Sequence, residues 1–426
     1  MELGFLSPLF DRRGPWASVY FDTATASEDA AARQELAARA AGEELKDLGA
    51  DEKTCHAVHD ALVALPRGPE PPGHAVFATH GEVVLVTELT RTPAGGGPLV
   101  SWQGLPRTGP LLELADSDPP CLIALIDRKG AGFELRDTTG THGAGQVTGS
   151  DWPVHRTSSG DPSERHFQTA VENTWEQNAA VVADELRIRQ ERTGAELLVL
   201  AGDVRERHAV QEQLPSDLRA HTVMAEHGVR ADAVPAGRDR PVRAGEGRRL
   251  LDEEVAQARA AFARARTDGS MEHFLAGRVP TEDGRLVAAE GVPALVEAAR
   301  EHRIGSLLVR TDGADLRREV WVGEEPDQVA VRRSEMQYLG AADAAPARAD
   351  DALLRSAAAT GVEVLRLRQP APAQYASDSA PDDIPDAPRG APEGVPAGGL
   401  GALLRWPYLG ATEGGGAGGG QHHATR

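Results

Sequence analysis

The sequence is poor in the residues that several common kinds of site require. Its 426 residues include two cysteines, Cys55 and Cys121, which excludes a disulfide framework and a four-cysteine metal site. No apolar run approaches the length of a membrane span. The first basic pair, Arg12-Arg13, follows a short apolar segment, the reverse of the order in a signal peptide. We therefore expect a cytoplasmic protein that binds no membrane.

Basic residues are also in the minority. The formal net charge is −20, which argues against a protein that coats DNA, because neutralising phosphates requires local lysine and arginine. A structured RNA partner, touched by a few basic spots, stays compatible with this charge. Aromatic residues make up only 4%, but the hydrophobic content of 40% is sufficient for folded cores built mostly from alanine and leucine.

The stretch 156–203 organises the chain as a polar loop, a long amphipathic helix and an apolar strand. Asp161 is a good N-cap, Pro162 suits the first helical position, and Glu164 completes a capping box. Gly194 offers a helix stop. One apolar stripe at helical spacing consists of Phe167, Val171, Trp175, Val182 and Leu186. The sequence therefore predicts a rod that carries the loop away from a sheet.

Composition and periodicity predict an α/β protein of three domains, at 1–115, 119–245 and 248–408. Residues 369–398 are a Pro/Asp/Ala-rich insertion, and residues 409–426 are a Gly-rich tail. Further helices are predicted at 28–48, 52–65, 207–213, 248–276, 292–302 and 350–360. Strands are predicted at 16–21, 75–79, 82–89, 121–127, 131–136, 196–203, 220–223, 304–309, 319–323, 328–331, 362–367 and 398–405.

The order of these motifs resembles the archaeo-eukaryotic class-1 release factors and Pelota, with their bacterial relatives. The run 121–131, Cys-Leu-Ile-Ala-Leu-Ile-Asp-Arg-Lys-Gly-Ala, looks like the opening strand pair of that family's middle domain. The strand 197–202 looks like its central strand. Residues 351–364 and the Gly-rich 398–405 are similar to its last domain, a relative of ribosomal proteins that bind kinked RNA.

The resemblance implies a catalytic Gly-Gly-Gln loop just before the long helix, which hydrolyses peptidyl-tRNA in the family. Counted back from Phe167, the three positions hold Gly160, Asp161 and Pro162. Proline has no side-chain amide to position water, and the carboxylate of Asp161 would repel a hydroxide-like nucleophile. We therefore predict that the protein does not cleave peptidyl-tRNA through this loop.

Two other Gly-Gln sequences are alternatives for that loop. In Gly143-Ala144-Gly145-Gln146, a displaced catalytic loop would use Gln146, whereas the simpler interpretation is a Gly-rich connection between strand and helix. Gly418-Gly419-Gly420-Gln421 lies in the tail, where an unstructured linker is the better interpretation.

The first domain contains neither the Asn-Ile-Lys-Ser nor the Tyr-x-Cys pattern with which release factors read stop codons. In this respect the chain resembles the Balon-like ribosome hibernation factors. That resemblance implies that the protein occupies the ribosomal A site without decoding or cleavage. The loop then expected to face the peptidyl-transferase centre consists of Arg156, Thr157, Ser158, Ser159, Gly160 and Asp161. The residues expected to contact ribosomal RNA are Arg238, Arg240, Arg243, Arg248 and Arg249.

Three hypotheses follow: a non-hydrolytic A-site factor for ribosome hibernation or protection, a peptidyl-tRNA hydrolase or rescue factor that uses Gln146, and an adaptor whose last domain docks on another protein. The resemblance leaves an elongation-factor-type GTPase open as a partner. We expect no cofactor and no metal, because Cys55, His56 and His59 are better explained as one structural thiol and two solvated histidines.

Overall fold

The protein folds into an α/β structure, described here by a computed structural model. The described residues are 3–24, 29–67, 72–93, 97–115, 118–127, 129–137, 140–149, 163–227, 246–341, 343–367 and 395–409. In the helix that begins at residue 163, side chains are described from residue 176 onward. The predicted α/β class is confirmed.

The described chain contains both strands and helices. The strands are β1 (Trp16–Asp22), β2 (Gly73–Thr79), β3 (Glu82–Leu89), β4 (Leu99–Gln103), β5 (Cys121–Asp127), β6 (Gly130–Asp137), β7 (Gly140–Thr148), β8 (Leu197–Gly202), β9 (Thr222–Met224), β10 (Arg285–Glu290), β11 (Ile304–Val309), β12 (Glu319–Val322), β13 (Val329–Ala330), β14 (Ala345–Arg348), β15 (Glu363–Arg366) and β16 (Leu400–Leu409). The helices are α1 (Ser7–Phe10), α2 (Ala30–Asp47), α3 (Glu52–Ala64), α4 (Leu111–Leu114), α5 (Ser163–Thr193), α6 (Val204–Gln213), α7 (Ser216–Ala220), α8 (Glu246–Gly277), α9 (Val292–Arg300) and α10 (Ala349–Ala359). No helix in the described ranges has the length and hydropathy to cross a membrane.

The chain divides into two compact units. The first unit is Gly14–Asp268, and the second joins Glu2–Arg13 to Gly269–Arg426. The first unit contains two separate sheets, and α8 begins in the first unit and ends in the second. Residues 3–13 therefore pack with the second unit, although the sequence assigns them to the first domain. The three predicted domain boundaries stay a prediction.

The first sheet has the order β3-β2-β1-β4, and all its strand pairs are antiparallel. Helices α2 and α3 pack on one face through Ala38, Ala41, Val58 and Leu62, all of which are fully buried. β2 is buried along its whole length, so the sheet is covered on both faces at this strand, whereas the edge strand β3 is mostly half-buried or exposed. Ordinary helix-on-sheet packing thus forms the core of this part of the unit.

His74 in β2 is a buried titratable group, and it predicts a pH-dependent stability. Its Nδ1 lies 3.2 Å from Thr23 Oγ1, and burial lowers the pKa of its imidazole. The unfolded chain therefore binds the proton first as the pH falls, so the stabilisation is complete above pH ~6.5 and is lost below it. We expect wild type to lose up to about 1.4 kcal/mol per pH unit more than His74→Gln below pH ~6.5. Urea unfolding of both proteins at pH 7.5 and at more acidic pH measures this difference, and equal slopes would contradict it.

The second sheet has the order β7-β6-β5-β8-β9. Strands β5, β8 and β9 are parallel, whereas β7, β6 and β5 pair antiparallel. Helices α5 and α6 cover one face, through residues that include Val182, Leu186 and Val210. The first part of α8 covers the other face with Leu251 and Val255. The continuous burial of β5 follows from having helices on both sides.

The second unit is built on the sheet β10-β16-β11-β15 and a smaller sheet, β13-β12-β14. β11 and β15 are parallel, and β16 pairs antiparallel with β10 and β11. Helix α10 is buried from Ala349 through Ala357, and it contacts α1, α9 and β12. Of the segment 398–405, predicted as the closing strand, residues 400–405 therefore begin a central strand of this sheet, whereas Gly398 and Gly399 lie in a 3₁₀ turn.

Candidate functional site

Helix α5 is much longer than the sheet on which it lies. Its 31 residues make a rod of about 46 Å, whereas the seven residues of β5 span about 23 Å. The helix ends at Gly194, whose φ of 68° is the left-handed conformation of a helix stop. Part of α5 must therefore extend past the strands.

Asn178 marks the level at which α5 passes the end of the sheet. Gly149 lies just after β7, and its N–H donates to the carbonyl of Lys129 in the β5–β6 turn, at 2.6 Å. A Cβ on Gly149 would lie only 2.1 Å from Asn178 Oδ1. Because α5 runs antiparallel to β5, residues 163–177 lie beyond this end. At about 1.5 Å per residue they add about 22 Å, and we call them the arm.

The predicted apolar stripe of α5 is confirmed where its side chains are described. Val182 is 2% exposed and Leu186 is fully buried on the second sheet. The side chains of Phe167, Val171 and Trp175 lie outside the described residues. So does the whole predicted peptidyl-transferase-facing loop, Arg156, Thr157, Ser158, Ser159, Gly160 and Asp161.

The segment 140–148 is a strand, and the prediction of a loop around Gln146 is wrong in this respect. β7 pairs with β6 over its whole length, and Gln146 stands opposite Gly132. The Gln146 side chain is exposed. Gln146 thus lies near the base of the arm, in a hydrogen-bonded strand, and more than about 22 Å short of the arm's end.

The glycines of this segment allow α5 to approach the sheet closely. Gly145 has a φ of 94°, and a Cβ there would lie 2.9 Å from Arg189 Nη1. Arg189 is itself held by Glu185 at 2.5 Å and stacks over Phe133, with its Cζ 4.5 Å from the ring centroid. The seam between α5 and β7 is the set Gly145, Gly149, Asn178 and Arg189. Close packing at the seam explains why glycine occupies positions 145 and 149.

The seam predicts that two adjacent residues, Gly145 and Gln146, differ strongly in how much their substitution lowers the stability. Gly145→Ala should lower the free energy of unfolding of the first unit by about 1–3 kcal/mol, because alanine is strained at this φ and crowds Arg189. Gln146→Ala should change it by less than about 0.5 kcal/mol, because the side chain is exposed. Chemical denaturation measures both, and equal effects would contradict the seam.

Arg248 does not face solvent, so its assignment to ribosomal RNA binding is wrong. Its Nη1 and Nη2 donate to the two carboxylate oxygens of Glu134 on β6, both at 2.6 Å. Its Nε lies 3.1 Å from Asp252, which also pairs with Arg136. Glu134 is 2% exposed, and its hydrogen bonds raise the pKa of Arg248. This ion-pair cluster fixes the start of α8 on the second sheet.

Arg249 is the predicted RNA-binding residue that the structure describes as exposed. Its side chain is 67% accessible, and its Nε lies 3.8 Å from Glu253 one turn away. Arg238, Arg240 and Arg243 lie outside the described residues. The structure therefore separates Arg248, which acts within the fold, from Arg249, whose role as an RNA contact stays a prediction.

The thiols and their neighbours do not form a reactive site. Burial raises the pKa of Cys121 to about 12 and also raises that of Cys55. His56 Nδ1 lies 2.7 Å from the carbonyl of Glu52, and His59 lies 3.5 Å from Glu35. Within the described part of the chain, no group of three or more His, Cys, Asp and Glu residues is arranged to hold a metal ion.

A comparison with protein families matches the region that contains this site. Residues 120–279 match the family described as "Bacterial archaeo-eukaryotic release factor family 2". This part of the chain is similar to that family. The matched range contains the second sheet, α5, the seam and the ion-pair cluster, so the resemblance of residues 121–131 and 197–202 is confirmed.

Two curated relatives of the chain come from Mycobacterium tuberculosis. They are the uncharacterized proteins MT2704, of strain CDC 1551 / Oshkosh, and Rv2629, of strain ATCC 25618 / H37Rv. Each is 26% identical over 356 residues, which cover 83% of this chain and 89% of the relative. The similarity thus extends beyond the release-factor-like region.

Solved structures of low sequence identity also align with most of the chain. A model of ribosome-bound archaeal Pelota and ABCE1 aligns at 12% identity and a TM-score of 0.38, over 94% of this chain and 93% of that one. S. cerevisiae Dom34, described as interacting with Hbs1, aligns at 11% identity and a TM-score of 0.32, over 79% and 80%. The archaeal translation termination factor aRF1 aligns at 13% identity and a TM-score of 0.21, over 94% and 96%.

Sequence reasoning missed two residues of the release-factor-like region, Glu134 and Asn178. Glu134 occupies a buried position in β6, between Phe133 and Leu135. A lone carboxylate inside an apolar strand is a signal for a buried partner. Asn178 precedes the apolar pair Ala179 and Val182 on the buried stripe of α5, and only the approach of Gly149 gives it a role.

Proposed function

We propose that the protein is a release-factor-like translation factor that occupies the ribosomal A site and blocks or protects it without cleaving peptidyl-tRNA. The single observation that carries this proposal is the arm. It extends α5 about 22 Å past the sheet and is anchored at its base by the seam. A projection of this kind suits insertion into a deep site, and the similarity of residues 120–279 to a release-factor family supports the ribosome as that site.

The residues that precede the arm support the non-hydrolytic form of the proposal. In the family, a Gly-Gly-Gln sequence stands at this place, and here it reads Gly160-Asp161-Pro162. No side-chain amide is available there to direct water onto an ester. The proposal therefore assigns the arm a blocking role, with Arg238, Arg240, Arg243 and Arg249 as contacts to ribosomal RNA and an elongation-factor-type GTPase as a delivery partner.

Sedimentation with ribosomes tests the binding half of the proposal. We expect the purified protein to pellet with stationary-phase ribosomes at low salt and to be released as salt rises, because phosphate contacts depend on counterion release. Replacing Arg238, Arg240 and Arg243 together by glutamate should weaken binding at least about tenfold. Absence of the wild-type protein from the ribosome fractions at low salt would reject the proposal, and capture of protein partners alone would favour an adaptor.

A matched control separates a specific basic contact from the change in net charge. Arg33, Arg39 and Arg264 are exposed residues of the first unit. Replacing these three by glutamate changes the net charge equally, and we expect ribosome binding to fall much less than in the first triple variant. An equal loss in both variants would remove the assignment of the basic segment to ribosomal RNA.

A peptidyl-tRNA hydrolase or rescue factor that uses Gln146 is the second candidate. The observation in its favour is that the Gln146 side chain is exposed at the end of the sheet from which the arm projects. Its position in a paired strand at the arm's base is the observation against it. Peptide release by the wild type that is lost in Gln146→Ala would establish this candidate in place of the first.

A further inference from the structure

Residues 3–13 form a short leucine-rich segment that completes the second unit. A 3₁₀ turn over Gly4–Leu6 leads directly into α1. Leu3, Leu6 and Leu9 are 4%, 1% and 0% exposed, although they belong to a stretch of only eleven residues. Their spacing of three residues places them along one side of the turn and helix. We call this segment the strap.

The strap lies on α10, a helix that is buried on all sides. α1 contacts α10, and α10 is also covered by α9, β12 and β14. A helix buried all round depends on each of its covers. The strap is the cover that precedes the first sheet in the chain, whereas the other covers follow it. The strap is therefore remote in sequence from the sheets of the second unit, and it packs on α10 as a separate segment.

Apolar burial holds the strap, rather than its own secondary structure. A helix of four residues is unstable by itself, because helix nucleation is unfavourable. Its internal support consists of hydrogen bonds such as Leu6 N to Leu3 O at 2.9 Å and Asp11 N to Ser7 O at 3.2 Å. The ion pair between Arg13 and Glu324 is largely exposed, with side chains 75% and 47% accessible, and such pairs contribute little. The three buried leucines supply the apolar part of the attachment.

We propose that α10 presents a groove for a Leu-x-x-Leu-x-x-Leu segment, and that the chain's own residues 3–13 occupy it as a detachable strap. No strand pair of the second unit has to open when the strap leaves, because residues 3–13 contribute no strand to its sheets. A leucine-rich peptide of the same pattern then fits the vacated groove. This proposal does not depend on the proposed function.

Hydrogen exchange of the full-length chain tests the proposal. In Leu6→Asp/Leu9→Asp, amides of α10 should exchange at least about tenfold faster than in wild type, while those of α3 in the first unit keep their rates. A synthetic peptide of residues 1–13, at millimolar concentration, should restore the slow exchange of α10. The same peptide with both aspartates should not. Val279→Asp, at a residue that is 67% exposed in the second unit, is the matched control and should leave α10 unchanged.

Two results would overturn the proposal. Unchanged exchange of α10 in the double variant would show that the strap is not a cover of this helix. Faster exchange that the wild-type peptide does not reverse would show that the seat is not a peptide-binding groove. If exchange of β11 shows that the double variant unfolds the whole unit, the milder Leu9→Ala decides the matter. It should raise exchange in α10 and not in β11, and no rise would reject the strap.

Discussion

Replacing Arg248 by methionine should destabilise the first unit by about 3–5 kcal/mol, because it leaves the buried carboxylate of Glu134 without its bidentate partner. Methionine keeps the length and most of the packing of the arginine stem. The loss therefore reports the uncompensated charge rather than a cavity. Equilibrium unfolding in guanidinium chloride, followed by tryptophan fluorescence and circular dichroism, measures it.

The neighbouring arginine is the control for this prediction. Arg249→Met removes the same charge one residue along α8, but from a side chain that is 67% exposed, and should change the stability by less than about 0.5 kcal/mol. A double variant, Glu134→Leu with Arg248→Met, should recover most of the loss, because replacing both members of a buried pair by apolar groups is often close to neutral. Similar losses for Arg248→Met and Arg249→Met would contradict the ion-pair cluster.

Gly202→Ala should destabilise the second sheet by about 3 kcal/mol or more, because the change strains the backbone and separates two central strands. Gly202 has a φ of 142° and ends β8 opposite Ile126 of β5. A Cβ there would lie 2.3 Å from the carbonyl oxygen of Ile126, and a backbone atom cannot move aside as a flexible side chain can. Thermal and chemical unfolding of the full chain measure the loss.

Gly42→Ala is the matched glycine substitution for Gly202→Ala. Gly42 lies inside α2, and a Cβ there would meet no atom within 4 Å. Because glycine is unfavourable inside a helix, alanine should stabilise this part of the unit by about 0.5–1 kcal/mol. A loss at both positions, or at neither, would contradict the close approach of β8 to β5.

The strands that the sequence predicts best are those with strong local patterns. β3, β5 and β11 have the predicted bounds, because alternating or continuous apolar residues with clear turn signals identify them. The end of α5 at Thr193 also agrees with the predicted stop at Gly194, whereas the predicted caps Asp161 and Pro162 lie outside the described residues. In these elements, local preference and tertiary packing favour the same structure.

β7 shows why other elements could not be predicted. Its residues include Gly140, Gly143 and Gly145, which have low strand propensity, and its apolar side chains, Ala144 and Val147, do not follow the alternation of a strand. The strand exists because β6 offers it a hydrogen-bonding partner through the whole segment. Pairing with a neighbour decides the structure here, and a single sequence does not reveal the neighbour.

Arg248 was misassigned because a cluster of arginines in sequence is not a cluster in space. It precedes Leu251 and Val255 by three and seven residues, which places it on the buried stripe of α8. Arg249 falls on the other side of the helix and is exposed. Helical periodicity, applied to charged residues as well as apolar ones, separates the two residues, and only the partner Glu134 required the structure.

The most direct test of the account is whether the protein occupies a ribosome and leaves the peptide in place. Ribosomes with a labelled peptidyl-tRNA in the P site and a vacant A site are incubated with excess protein and pelleted, and both the protein and the label are counted. Puromycin, which releases the peptide, shows that the complexes are competent. We predict one protein bound per ribosome and a label that stays in the pellet as in buffer alone. Release of the peptide above the buffer rate, or protein that stays in the supernatant, would contradict the account.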